Sequence, residues 1–341
     1  MSDRVNVGLI GAGRIGRLHA EHLVFRIPGA NLVAVSDIVV EAAQKCAAEF
    51  GIPTATQDRR AIMENPDIEA VVICSSTDTH AQMIEEAATA SKHIFCEKPI
   101  DFDLARIDRA LAAVEEAGVK LQIGFNRRFD PNFRRVRELV AAGKIGQPHI
   151  LRITSRDPAP PPIEYIQVSG GIFLDMTIHD FDMARYLIGS EVEEVYVAAG
   201  VMVDPAIGAA GDVDTAVITL RFENGVIGTI DNSRQAVYGY DQRVEVFGSG
   251  GAVSADNNYP NTAIVSDSQS VHRDLPLHFF MERYIESYVA EMKAFIECVQ
   301  QDQTPPVTGI DGRIPVVMGY AAAKSYEENR PVRLSEISPV L

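Results

Sequence analysis

The chain has 341 residues, 46% of them hydrophobic and 23% charged, with a formal net charge of −16. That length suits two domains, and no run approaches the roughly 18 unbroken apolar residues of a membrane span. So acidic a chain repels nucleic acid and anionic membrane, both of which demand Lys and Arg against phosphate, and leaves small polar ligands as partners. The start, Met1-Ser-Asp-Arg4, lacks the charged, apolar and small-residue succession of a secretory signal, which predicts a cytoplasmic protein. Cys46, Cys74, Cys96 and Cys298 are scattered with no C-x-x-C pair, which predicts neither a disulfide framework nor a zinc ribbon.

From Val5 onward short β-branched runs alternate with longer helical segments, the pattern of βαβ units that build a parallel sheet. Strands are predicted at 5–10, 31–37, 69–75, 93–96 and 120–125, with helices at 15–26 and 41–50 among them. Past about Ile150 the strands lengthen and alternate, as in an antiparallel sheet with one face exposed. The clearest hairpin runs from Val213 through Asn224-Gly225 to Ser233. Helices are expected at 175–187, 281–301 and 309–329. The predicted fold class is α/β: an N-terminal Rossmann domain, residues 1–125, and a C-terminal α+β domain, residues 126–341, with an open, largely antiparallel sheet. The last segment is expected to pack back on the first domain.

Gly11-Ala-Gly-Arg-Ile-Gly16 follows the first strand and opens the first helix, and Asp37 ends the second strand. The first glycine permits the tight turn, the second lets backbone approach a pyrophosphate, and the third lets helix and strand pack closely. The helix N-terminus supplies free N–H groups to the phosphates. A carboxylate at Asp37 accepts ribose hydroxyls and repels a 2′-phosphate, so NAD is predicted over NADP. Candidate cofactor contacts are Gly11, Gly13, Arg14, Ile15, Asp37, Ser75, Thr77, His80 and Glu97. Helix capping by Thr77 or Asp78 is the competing explanation of the 75–80 segment. Lys98 stands where open α/β sheets bind ligands, at the carboxyl end of a strand.

Asp175, His179 and Asp182 fall at i, i+4 and i+7 of a predicted helix that is apolar nearly all round. Burying such groups without partners costs several kcal/mol, so this stripe is expected to face a polar cavity or a ligand. One histidine and two carboxylates could also ligate a divalent ion, but the spacing is not that of helix-borne metal motifs, and no metal is predicted. A histidine with an ordinary pKa near ~6.5 suits removal of a hydroxyl proton, and Asp175 can orient it and stabilise the imidazolium.

Gly11–Gly16, Glu97-Lys-Pro99, Gly124-Phe-Asn-Arg-Arg-Phe129 and Gly170-Gly-Ile-Phe-Leu-Asp175 with His179 together resemble the Gfo/Idh/MocA family of oxidoreductases along nearly the whole chain. Within it, Ser155-Arg-Asp-Pro158, Ile178-His-Asp-Phe-Asp182 and Tyr238-Gly-Tyr-Asp241 are most similar to inositol 2-dehydrogenases. The resemblance implies Lys98, Asp175 and His179 as catalytic residues. It implies oxidation of a cyclic polyol, myo-inositol to 2-keto-myo-inositol, with hydride transfer to NAD. Arg127, Asp157, Asp182 and Tyr240 are candidates for the remaining hydroxyls, beside Lys98, Asp175 and His179. Ser155 and Asp157 stand where some inositol dehydrogenases carry histidine and asparagine, which leaves the isomer open. A homo-oligomer, a tetramer as in relatives, is expected from the apolar residues of an open sheet. The alternatives are a dehydrogenase of another inositol isomer or an aldose, and a non-catalytic NAD-binding regulator, which would not need Lys98, Asp175 and His179 together.

Overall fold

The structure is a computed structural model that describes residues 4–338. Met1 to Asp3, on which the signal-free start was read, lie outside the described residues. The chain divides into two compact units: Met1–Asn126 with Glu286–Ile314, and Arg127–Ile285 with Pro315–Leu341.

The first unit is built on six strands: β1 (Val5–Ile10), β2 (Ala30–Ser36), β3 (Thr54–Thr56), β4 (Ala70–Ile73), β5 (His93–Glu97) and β6 (Leu121–Gly124). They pair in the order β3-β2-β1-β4-β5-β6, all parallel. That order reverses between β1 and β4, the crevice where open α/β sheets take their ligands. All four residues of β4 are buried, as a strand covered by helices on both faces requires. The core joins Val7, Leu9, Val35, Val72 and Phe95 to Met292, Phe295 and Ile296 of the helix Ile285–Gln301. This late helix therefore supplies apolar cover to the sheet of the first unit.

The second unit carries β7 (Pro148–Arg156), β8 (Val192–Gly200), β9 (Thr215–Phe222), β10 (Ile227–Ser233), β11 (Asp241–Gly248) and β12 (Gly251–Ala255). With β15 (Val332–Arg333) they form a seven-stranded sheet, β12-β11-β7-β10-β9-β8-β15. Only β7 and β10 run parallel; the other pairs are antiparallel. Strands β13 (Ile264–Ser266) and β14 (Val271–Arg273) form a separate two-stranded ribbon. Along β9, Ala216, Ile218, Leu220 and Phe222 are buried while Val217 is exposed, the alternation of a sheet covered on one face. The turn at Asn224-Gly225 closes the hairpin with Gly225 at φ +87° and the Val226 N–H donating to Asn224 Oδ1.

The helix expected over 175–187 is two helices, Gly171–Asp175 and Thr177–Ile188. Gly170 and Gly171 enter it in the left-handed region, at φ +83° and +73°. Met176 N donates to Ile172 O, then His179 N to Met176 O, so an i−4 bond is followed by an i−3 bond and the ladder is interrupted. Asp175 thus closes one helix, while His179 and Asp182 lie on the next.

Candidate active site

In the first unit the glycine turn has the properties its spacing predicts. Gly11 sits at φ +97°, and a Cβ there would lie 2.5 Å from the Cys74 carbonyl oxygen. A Cβ on Gly16 would lie 1.9 Å from Gly11 O, so helix and strand could not pack as they do. A Cβ on Gly13 would meet nothing within 4 Å. Gly13 is also the N-cap of the helix Arg14–Phe25, without a side-chain cap, so first-turn N–H groups remain available to an anion. Open space over a bare helix terminus fits a pyrophosphate. Arg14 is exposed and Ile15 half-buried at that terminus. Asp37 accepts from Ala12 N at 2.7 Å and Val39 N at 2.8 Å, which ties its carboxylate to the glycine turn itself. Each of its oxygens keeps a second lone pair for a hydroxyl.

Past β4, Ser75 Oγ shares a hydrogen bond with Thr79 Oγ1 at 2.8 Å. Thr77 is half-buried on the short turn Thr77–Thr79, and neither it nor Asp78 caps the helix His80–Thr89 through its side chain. His80 is 2% exposed, and both its ring nitrogens face backbone carbonyls: Nδ1 lies 2.8 Å from Pro99 O and Nε2 3.0 Å from Ser75 O. At the end of β5, Lys98 is half-buried. Glu97 turns its carboxylate to His19, with Nε2 to Oε1 at 2.7 Å. Glu291 lies close enough for these three to be the described side chains able to share a cation. The His19–Glu97 contact has the length of a charge-assisted hydrogen bond. Glu291 is fully buried, with neither oxygen accepting a hydrogen bond. Burial, then the Glu97 charge, pushes its pKa well above the ordinary carboxylate value.

The second unit gathers the other candidates. Between Ile172 and Arg185 every residue is buried except Asp175 and His179, which are both half-buried. The two titratable groups are therefore what this stretch offers to a ligand. Asp175 accepts from Tyr165 Oη at 2.8 Å and faces the fully buried Arg234 guanidinium at 3.4 Å. Arg234 also reaches Asp212 at 3.4 Å, and Asp212 Oδ1 accepts the Ile172 N–H at the start of the short helix. Asp157 is raised to about 7 by burial first and the Asp175 charge second, against Arg234 and Arg127. Arg127 donates to Asp180 Oδ1 at 2.6 Å and to Tyr240 Oη at 3.3 Å. Asn232 Nδ2 donates to the other oxygen of Asp180 at 2.9 Å, so the Asp180 charge is satisfied although buried. Asp182 is 1% exposed and held bidentately by Arg128 at 2.6 to 3.0 Å, which makes it part of an internal ion pair.

Sequence reasoning missed Asp180, Arg234, Asp212 and Tyr165. Asp180 lies inside the Ile178-His-Asp-Phe-Asp182 motif, but helical spacing favoured Asp182 instead. All four cysteines are free, and burial pushes the Cys74 and Cys96 thiols well up, so neither is a nucleophile. Among the described residues no helix is long and apolar enough to cross a membrane.

Comparison with known proteins agrees in both units. A family model described as an oxidoreductase family with an NAD-binding Rossmann fold matches residues 5–125, and one for the GFO/IDH/MocA C-terminal domain matches residues 133–254. A myo-inositol 2-dehydrogenase of Thermotoga maritima is 52% identical over 333 residues, 98% of this chain and 99% of the relative. An inositol 2-dehydrogenase of Rhizobium meliloti is 47% identical, over 97% of this chain and 99% of its own. The crystal structure of a scyllo-inositol dehydrogenase from Lactobacillus casei, with bound NAD(H) and scyllo-inositol, superposes with a TM-score of 0.91. It is 29% identical and covers 97% of this chain and 99% of that one.

Proposed function

The chain belongs to the Gfo/Idh/MocA family of oxidoreductases with an NAD-binding Rossmann fold, and from that premise we propose that it oxidises a ring hydroxyl of an inositol, myo-inositol at carbon 2, to the ketone. The observation that carries this reading is similarity at 47–52% identity, end to end, to relatives named inositol 2-dehydrogenase. Asp175 and His179, half-buried in an otherwise buried stretch, support it.

NAD, when bound, supplies the hydride acceptor. Gly11, Gly13, Arg14 and Ile15 form the pyrophosphate cradle, with Asp37 on the adenosine ribose. Ser75, Thr77 and Glu97 line the strand ends toward the nicotinamide. Lys98 donates a hydrogen bond to the hydroxyl oxygen that becomes the carbonyl oxygen, and His179 accepts the hydroxyl proton. Asp175, in contact with Tyr165 and Arg234, stabilises the imidazolium that results. Arg127, Asp157 and Tyr240 meet the other hydroxyls. Asp182 serves this group indirectly, by fixing Arg128 next to Arg127. The enzyme works in the cytoplasm as a homo-oligomer, a tetramer, a reading supported by the exposed apolar residues of the second sheet.

Initial rates of NADH formation over myo-, scyllo- and chiro-inositol, glucose and galactose test the substrate. Turnover should be fastest with an inositol; none with any inositol ends the reading, and a preference for scyllo-inositol moves the isomer alone. Lys98→Met and His179→Ala should each cut kcat by about 100-fold or more, as loss of a positioned acid–base group does, with NAD affinity retained. Full activity in either variant removes that residue from the mechanism.

A further inference from the structure

His80 was expected at the edge of the cofactor, yet its ring is almost fully enclosed and each nitrogen is spent on the chain itself. Carbonyl oxygens only accept hydrogen bonds, so a ring nitrogen that carries a proton donates to the carbonyl it faces. The two carbonyls belong to Ser75, just past β4, and to Pro99, the residue that follows Lys98. One side chain therefore ties together the carboxyl ends of two neighbouring strands. The proline ring locks Pro99 φ near −65°, so ψ is the only soft torsion between its held carbonyl and the peptide that joins it to the lysine. His80 itself opens the ten-residue helix His80–Thr89, which is anchored by buried Ala81, Met83, Ile84, Ala87 and Ala88. A rigid element thus holds the reactive loop through a bond that its own backbone could not make.

We propose that His80 is a positioning residue for Lys98: its Nδ1–H holds the Pro99 carbonyl and thereby sets the lysine. This rests on the reading of Lys98 given above. Protonated, the ring satisfies both carbonyls. Burial lowers its pKa against the pull of those carbonyls and of Glu97 and Asp101, the carboxylates that face it. When the ring is neutral it keeps one proton, and a hold on the Pro99 carbonyl requires that proton on Nδ1. Dissolved imidazole side chains favour the opposite tautomer, so the assignment has a signature of its own.

Nitrogen-15 NMR of histidine-labelled wild-type protein, with His80 assigned by its loss in a variant, reads the tautomer. The expected neutral form is Nδ1–H; a bare Nδ1 would overturn the proposal whatever the variants do. Two substitutions separate the bonds, since an Asn amide nitrogen approximates Nδ1 and a Gln amide nitrogen approximates Nε2. His80→Asn should keep kcat near wild type, whereas His80→Gln should lower it at least about tenfold, the scale of a displaced reacting group, with NAD affinity little changed. Equal loss in both variants, in step with melting temperature, would make His80 merely structural. Lys98→Met keeps the two ideas apart: full activity there would defeat the role of the lysine, while the His80 tautomer would stand or fall on its own spectrum.

Discussion

Two carboxyls, one in each unit, share a raised pKa whose first cause is burial. Asp157, raised to about 7, is protonated below neutrality and ionised above it. Ionised, it accepts hydroxyl hydrogen bonds at both oxygens; protonated, it spends one oxygen as a donor. The KM for inositol should therefore fall as the pH rises through about 7, and Asp157→Asn should flatten that limb; an unchanged profile in the variant would remove Asp157 from the substrate group. Glu291, in the other unit, has its pKa raised well above the ordinary carboxylate value by burial first and the Glu97 charge second. Its folded pKa lies above the ordinary 4.5, so the folded chain keeps a proton that the unfolded chain has lost. The stability it contributes is full below 4.5 and declines as the pH climbs toward the folded pKa. Glu291→Gln carries a neutral amide at every pH and should lack that decline. Urea unfolding between pH 5 and 8 checks this, and parallel slopes for the two proteins would contradict a protonated Glu291.

At the scale of elements, the short helix Gly171–Asp175 shows how a site can hang on backbone conformation. Gly171 lies at φ +73°, and a Cβ there would stand 2.9 Å from Asp212 Oδ1, the atom that caps Ile172 N. Gly171→Ala should destabilise the fold by about 1–3 kcal/mol, the cost of a non-glycine residue in the left-handed region. It should also lower kcat, because the displaced Asp212 no longer anchors the turn that ends at Asp175. Denaturant midpoints with initial rates read both effects, and an alanine variant equal to wild type in each would mean the turn tolerates a side chain. The contrast with the Gly11–Gly16 turn explains what a sequence discloses. That turn is local: strand, glycines, helix and Asp37 lie within about one βαβ unit, and their spacing encodes the geometry. The Asp175 turn is governed by Arg234 and Asp212, which reach it across 59 and 40 residues, and no short-range pattern announces such partners. The same non-locality hid Asp180, whose partners Arg127 and Asn232 are 53 and 52 residues away. The helix break at Met176 was hidden for a different reason. Apolar residues continue through it without a change of period, so only the hydrogen-bond ladder records it.

At the scale of the whole molecule, the second sheet leaves apolar side chains on its open face that its own chain does not cover. Ile150 on β7 pairs in register with Ile227 on β10 and with Phe247 on β11, so the three form a continuous stripe across neighbouring strands. They are 37%, 51% and 46% exposed, and the His149 ring meets Phe247 edge-on at 6.0 Å. A stripe across the strands is costly to leave wet, at roughly 25 cal/mol for each Å² of apolar surface. It also counters the mutual repulsion of chains that each carry −16. Alternation along the strands made this face legible in the sequence as half-exposed, but the register that aligns the three residues is set by strand pairing and was not. Phe247 is a better probe than Val217, since the aromatic ring buries more area on contact and its neighbour on β7 is Ile150. Phe247→Asp places a charge at one end of the stripe, beside Ile150, and should shift the protein to a smaller species in size-exclusion chromatography with light scattering. Its NAD affinity should be retained, because Phe247 lies in the unit that does not carry the glycine turn. A wild-type protein that is already monomeric, or a variant whose mass is unchanged, would dissociate this face from assembly.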